Sequence, residues 1–379
     1  MYGRVVVLRV SNLIYLAFNT GCGFAQSNSQ MTAFRFLSGF GGSAPLVLAS
    51  GVIGDVFTPD ERGKAISVYT IAPLLGPAVG PIVGGLIAEH TTWRWIFWST
   101  SILAALVQGV GTILLRETYA PVLLRAKNKA EQEKQDVTVT SSPTVTPQSL
   151  IWANLSRAVF MLATQPIIQS VGLYLAYIYG LVYLVLSTLP TVWNDVYQEQ
   201  VDIGSLHYLA IGLGFFLGTQ VCAPLQDSIY RRLKHGNNGV AEPEFRIPLM
   251  IPAALFLSAG LFIYGWTAYY KVHWIGVDIG TVTFSIGSII GLQCIQSYII
   301  DAYPLHAASA VSAATFLRSL AGFGLPLLAT PLYNSLGLGW GNSLLGFLAF
   351  VFGAPMPFLL WRYGKKIRGY AWFASSSSQ

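Results

Sequence analysis

Few residues of this chain could do chemistry, and those that could sit in or at the ends of apolar runs. Arg35 lies near the start of one run and Arg318 about seven residues into another, while Asp55 and Asp301 each close a run. Charge at membrane depth is costly, so each is a candidate for pairing or moving charge, set against plain snorkelling to an interface. Asp55 and Asp301 read as gating salt bridges, with interfacial solvation as the alternative. Asp55 would pair with Arg4, and Asp301 with Arg232 or with the basic loop that holds Arg62. Arg318 is placed to reach Asp301 near the inner face.

Uncharged polar groups are better suited to holding a solute, because a cavity open to varied amphipathic molecules needs aromatic walls and a few orienting hydrogen bonds. One run supplies Gln165, Tyr174, Tyr177, Tyr179 and Tyr183, and another supplies Gln293 and Gln296. Gln165, Tyr174, Tyr177, Gln293 and Gln296 are the expected cavity lining, although aromatic belts and helix packing use tyrosines equally well. The histidines, at 90, 207, 235, 273 and 306, never fall at metal or general-base spacing. Cys22, Cys222 and Cys294 form no CxxC pair. Hence no metal site, disulfide framework or enzyme centre is indicated, and no repeated filter loop points to a channel.

The elements that carry these residues follow from composition. Of 379 residues, 53% are hydrophobic and 10% charged, with a mean hydropathy of +0.55. Soluble domains carry about 25% charged residues. The chain is therefore an all-α integral membrane protein. Runs long enough to span a bilayer occupy approximately 5–25, 32–54, 65–88, 94–115, 164–188, 204–224, 248–270, 275–299, 311–333 and 341–361, which makes ten. With the first end inside, Arg62, Lys64, the 116–158 stretch, Arg231, Arg232, Arg246 and the tail from Arg362 to Arg368 all fall on the inner side. Residues 1–115 then form a four-span bundle, 116–158 a polar cytoplasmic linker, 159–367 a six-span bundle and 368–379 a tail.

An internal comparison accounts for the uneven split. Gly54-Asp55 ends the second run as Ile300-Asp301 ends the eighth, and Gly76 and Gly322 follow those aspartates at the same distance. Tyr2-Gly3-Arg4 likewise matches Tyr230-Arg231-Arg232, which Asp227 precedes. The first run thus corresponds to the third helix of a six-helix repeat.

The stretch Gly76-Pro77-Ala78-Val79-Gly80-Pro81-Ile82-Val83-Gly84-Gly85 sets glycines at every fourth residue, a side-chain-free row beside a row of prolines. It resembles the antiporter motif of the major facilitator superfamily. Tyr2-Gly3-Arg4 is similar to the family's loop motif, and Arg35 to Ser43 to its fourth-helix motif, with Ser43 where a last glycine is usual. Gly54-Asp55, Pro59 to Ala65, Trp93-Arg94-Trp95 and Arg116-Glu117-Thr118-Tyr119-Ala120-Pro121 resemble the fungal drug:proton antiporter branch. The resemblance implies the major facilitator fold, with the third to twelfth of twelve helices present in a six-plus-six arrangement and alternating access about a central cavity.

It further implies proton-coupled export of a drug, secondary metabolite or polyamine, with Arg35 in proton coupling or substrate polarisation and Arg62 among the gating charges. The motif Gly76, Pro77, Gly80, Pro81, Gly84 and Gly85 would line the interface between halves, facing the small stripe Gly214, Gly218 and Cys222. No cofactor is expected beyond the proton gradient. The expected partners are a small-molecule substrate and the lipid bilayer, not nucleic acid, and the expected state is a monomer in the plasma membrane. Because the first two helices of the family are not encoded, the chain reads as N-terminally truncated. A non-transporting remnant and a proton-independent facilitator stay open as alternatives.

Overall fold

The computed structural model describes residues 3–56, 76–115, 117, 122, 124, 147–303 and 307–369, with side chains given for all of these but 46–56, 147–155, 307–308 and 369. Among the described residues there is no strand. Eight helices are long and apolar enough to cross a membrane: Arg4–Gly23, Arg94–Leu114, Pro166–Val196, Val201–Gly236, Pro243–Tyr269, Trp274–Ala302, Ser309–Leu327 and Ala329–Arg368. The other two expected spans fall on the helix Asn28–Val56 and on helical residues 76–90. Residues 57–75, which hold Arg62 and the start of the third expected span, and most of the linker lie outside the described residues.

The chain divides into two compact units, Met1–Gly76 with Gly80–Pro147, and Pro77–Val79 with Gln148–Gln379. In the first, α1 (Arg4–Gly23) packs on α2 (Asn28–Val56) and on α4 (Arg94–Leu114), with α3 spanning 76–90. Contact is close because Gly41 has no side chain: a Cβ there would stand 2.5 Å from the Tyr15 amide nitrogen of α1. Asn19 ties α1 to α4 by donating to the Phe97 carbonyl at 3.1 Å and to the Ser101 hydroxyl at 2.9 Å. A buried amide in an apolar helix needs such partners, since lipid offers none.

The second unit contains α5 (Pro147–Thr164), α6 (Pro166–Thr191), the short α7 (Val201–Leu206), α8 (Tyr208–Gly236), α9 (Met250–Tyr269), α10 (Trp274–Ala302), α11 (Ala307–Leu327), α12 (Ala329–Gly353) and α13 (Pro355–Gly369). Helix starts at Pro147, within the expected linker; proline fits the first turn, and Leu150, Ile151 and Leu155 then recur at helical spacing. Within the unit, α6 packs on α11, while α10 packs on α8 and α9, and α9 on α12. Within α12 the helix kinks at Gly337, whose φ of 69° is a backbone conformation open to glycine. Side chains that water would penalise point outward, with Ile113 83% and Phe323 71% exposed, as suits helices facing lipid.

The α9–α10 pair shows what glycine does here: a Cβ on Gly287 would lie 2.5 Å from the Ala253 carbonyl oxygen and 2.9 Å from the Leu257 Cα. Gly287→Leu is expected to force the helices apart and to cost about 1–3 kcal/mol as overpacking. Gly109, in α4 with open space where its Cβ would go, is the control: Gly109→Ala should be neutral or gain up to about 1 kcal/mol. Thermal unfolding in detergent tests both, and equal effects of the two substitutions would contradict this packing.

Candidate functional site

α6, α10 and α11 meet around a small cavity of about 20 Å³ lined by Leu175, Leu292, Gln296, Ile299, Val311, Thr315 and Arg318. The Arg318 guanidinium lies over the Tyr179 ring, 4.5 Å from its centroid. Tyr179 in turn stands beside Tyr183, with ring centroids 4.8 Å apart and the Tyr179 hydroxyl donating to that of Tyr183 at 3.3 Å. Room for the stack comes from Gly322 on α11, where a Cβ would press the Tyr179 ring at 3.0 Å. Arg318 does not reach Asp301 as the sequence suggested, because the aromatic face of α6 takes its guanidinium. Its Nε is buried without a hydrogen-bond partner.

The other expected lining residues are placed differently. Gln296 joins the cavity. Gln165 is buried at the break between α5 and α6, with its Nε2 donating to the Thr164 hydroxyl at 3.4 Å and its Oε1 without a partner. The Tyr177 hydroxyl donates to the Leu345 carbonyl of α12 at 3.0 Å, and Gln293 donates to the Thr219 hydroxyl of α8 at 3.1 Å. Tyr174 is 5% exposed and packs near Gly291 of α10. These three hold helices together; the cavity is drawn around Arg318 instead.

Charges collect at the end of the unit that the positive-inside pattern assigns to the cytoplasm. Arg246 sits between two carboxylates, bonded by Nε to Asp301 at 2.9 Å and by Nη1 to Asp227 at 2.8 Å, with its Cζ 4.2 Å from the Tyr230 ring centroid. Asp301 therefore pairs with Arg246, not with Arg232 or Arg318, because the one-turn helix Pro243–Arg246 carries that guanidinium to the ends of α8 and α10. Beside it, Arg368 of α13 grips the buried Glu244 with two bonds, at 2.9 and 2.7 Å. Lys365 meets Glu242 at 2.6 Å. Together these pairs tie α13 to the turn that presents Arg246.

In the first unit, Arg35 lays its guanidinium over the Phe97 ring of α4, 4.6 Å from the centroid. Asp55 lies in α2 but its side chain, and hence any pairing with Arg4, is outside the described side chains, as Arg62 is outside the described residues. Glu117 accepts from the Arg4 and Val5 amides at 3.0 and 3.1 Å, so the stretches Gly3-Arg4 and Arg116-Glu117 meet at the start of α1. Gly3 has a φ of 85°, and a Cβ there would lie 2.9 Å from the Glu117 carboxyl carbon.

Among the described residues nothing lies within 4 Å of where a Cβ would stand on Gly76, Gly80 or Gly84 of α3, and Pro77, Pro81 and Gly85 share that helix. Gly214 and Gly218 instead face α10: their Cβ positions meet the Ser285 side chain and the Ile286 carbonyl. Gly212, half a turn before Gly214, meets the glycine-proline stretch itself: a Cβ there would stand 2.5 Å from that of the buried Ala78.

One cluster was not foreseen. His207, between α7 and α8, has Nε2 3.1 Å from Glu199 and Nδ1 2.8 Å from Asp278, and its ring stacks on the fully buried Trp193 at 3.6 Å. Both contacts are hydrogen bonds only when the ring carries both protons. Sequence spacing conceals the trio, since Asp278 lies 71 residues from His207.

Comparison with known proteins agrees with this architecture. Residues 1–326 match the family model described as Major Facilitator Superfamily. The chain belongs to the Major Facilitator Superfamily. It is 47% identical to the efflux pump vrtL of Penicillium aethiopicum over 99% of this chain and 75% of that protein. It is 40% identical to the probable efflux pump mfs2 of Aspergillus flavus over 97% of this chain and 88% of the relative. Among solved structures, a D-xylose-proton symporter superposes with a TM-score of 0.68 at 16% identity, covering 96% of this chain and 81% of that one. That likeness speaks to the fold.

For this superfamily member the two carboxylates on Arg246 should differ in weight, since Asp301 is 31% and Asp227 61% exposed. Asp301→Ala is expected to cost about 1–3 kcal/mol by stripping a half-buried guanidinium of its partner, and Asp227→Ala about 0–1 kcal/mol as a solvent-screened pair. Thermal unfolding of both variants in detergent checks the order, and a larger loss from Asp227→Ala would contradict it.

Proposed function

We propose that this chain is a secondary active transporter that exports a small amphipathic molecule by alternating access, coupled to inward movement of protons. The observation that carries the reading is Arg318, well inside α11 with its guanidinium over the Tyr179 ring beside Tyr183, next to a small cavity that Gln296 and Thr315 also line. A group of this kind within membrane helices suits binding of a solute, because burying it for stability alone would cost free energy. Relatives named as efflux pumps, at 47% and 40% identity, support export as the direction.

Protons are the energy source in this reading, no bound cofactor takes part, and the chain acts as a monomer in the plasma membrane. Drug-like or secondary-metabolite cargo is the class this reading assigns, in keeping with the relatives named as efflux pumps. The inner cluster Asp227–Arg246–Asp301 serves as a gate that breaks and reforms as the cavity changes sides, and Arg35 acts in coupling. The glycine-proline helix supplies the flexible, side-chain-free face that such motion needs.

The test is efflux from yeast cells lacking their own drug pumps and preloaded with a panel of anionic, cationic and neutral dyes. Efflux of at least one dye is expected to quicken in acidic medium and to stop with a protonophore, and Arg35→Gln should slow it about tenfold, a rise of about 1.4 kcal/mol in the barrier. Efflux indifferent to the protonophore would replace coupling with facilitated diffusion. No efflux of any dye from cells that hold the protein at the membrane would contradict transport.

A further inference from the structure

We infer that Glu199, His207 and Asp278 form a proton-binding site that latches the connection after α6 to the starts of α8 and α10 in acid and releases it as pH rises. The site stands apart from the transport reading, since none of its residues lines the cavity beside Arg318. It lies at the outer end of the second unit. Asp278 is near the start of α10, whereas Asp301 of the cytoplasmic cluster is near its finish, about 35 Å further along the helix.

Three parts of the chain meet there. Glu199 stands on the connection that leaves α6 through the turn Val192–Val196, with its amide donating to the Trp193 carbonyl at 3.0 Å. His207 comes from the junction of α7 and α8, and Asp278 from α10. The imidazole stacks on Trp193 with centroids 3.6 Å apart and planes 13° from parallel, and Trp274 of α10 stands edge-on to it at 5.6 Å. An indole face suits a cationic ring. The His207 side chain is 10% exposed and each acid 21%, so the carboxylates reach water while the ring is largely covered.

What a proton does here follows from the two ring nitrogens. With both protonated, Nδ1 donates to Asp278 at 2.8 Å and Nε2 to Glu199 at 3.1 Å. A neutral ring keeps one N–H. Asp278 retains it, because its other oxygen, Oδ1, is buried with no partner among the described residues and the carboxylate would otherwise be left without a donor. The Nε2 lone pair then faces the Glu199 carboxylate, and a bond becomes a repulsion. Glu199 is the partner free to leave: it stands in a connection whose Gln198 occupies the strained left-handed region at a φ of 59°.

The other titratable groups around the ring are engaged elsewhere. The Tyr197 hydroxyl, beyond Trp193, donates to the Val272 carbonyl at 2.6 Å, and that of Tyr208 on α8 to the Leu186 carbonyl at 2.8 Å. Asp202 of α7 accepts from the Ile203 amide at 2.7 Å, and His273 Nδ1 from the Ile275 amide at 3.4 Å. Asp195 and Lys271, on the flanking connections, form no ion pair with the ring or its acids among the described residues. The response to pH therefore belongs to His207, whose type of side chain changes charge between about pH 5 and 8.

The experiment is hydrogen exchange of the detergent-solubilised full chain at about pH 5.5 and about pH 8, on either side of the imidazole range, read on peptides covering 193–207 and corrected for the intrinsic rate of each amide. Protection of those peptides is expected to fall about tenfold or more at the higher pH, as one charge-assisted hydrogen bond is lost, while peptides from the middle of α6 stay unchanged. Glu199→Gln should stay protected at both pH values, because an amide can accept from a protonated ring and donate to a neutral one. Protection in the intact chain that does not change with pH, or a Glu199→Gln variant that responds as strongly as the intact chain, would overturn the latch. Neither result touches the transport reading, which is tested by efflux.

Discussion

In hydrocarbon a charged side chain has no water to fall back on, so each one must find a protein partner, reach an interface, or wait for a ligand. This constraint sorts the ionised groups of the second unit. Asp227 and Asp301 share Arg246, Glu244 and Glu242 take Arg368 and Lys365, and Glu199 and Asp278 flank His207. All of these acids but Asp227, which lies within α8, sit close to helix ends or in the connections between helices. Arg318 stands apart, well inside α11, resting on a tyrosine ring in place of a carboxylate.

The same constraint shapes the backbone. Apolar helices gain little by hiding from lipid, so their association depends on close contact, which Gly41, Gly260, Gly280 and Gly287 allow by having no side chain. Packing of that kind fixes α8, α9, α10 and α12 around one another, and α6 against α11. Rigid pairs of helices then present the cavity, while the paired charges at their inner ends can part and re-form at modest cost because they are half in water.

How much of this could be read from residues alone depended on the range of the interaction. Span positions and the internal repeat were legible, because apolar length and the Asp55-to-Gly76 and Asp301-to-Gly322 spacings are local properties of the chain. Arg318 and Gln296 were recognised as polar groups in apolar surroundings, and the structure brings them together. Their partners were not legible: Arg246 reaches Asp301 across 55 positions, and His207 reaches Asp278 across 71. Tyr177 and Gln293 bond to neighbouring helices, since a polar side chain in a membrane helix satisfies itself there as readily as on a solute, and that choice of partner is not written in the local sequence.

Alternating access is the claim on which this account turns, and cysteine accessibility at the cavity tests it most directly. Thr315→Cys would be introduced into a chain whose three native cysteines, all buried, have been replaced, and a membrane-impermeant thiol reagent added to sealed vesicles from the inside or from the outside. The account predicts modification from either side, with the balance shifted by a pH gradient. Labelling confined to one side under every gradient would contradict it, because a cavity that never changes its opening cannot carry a solute across.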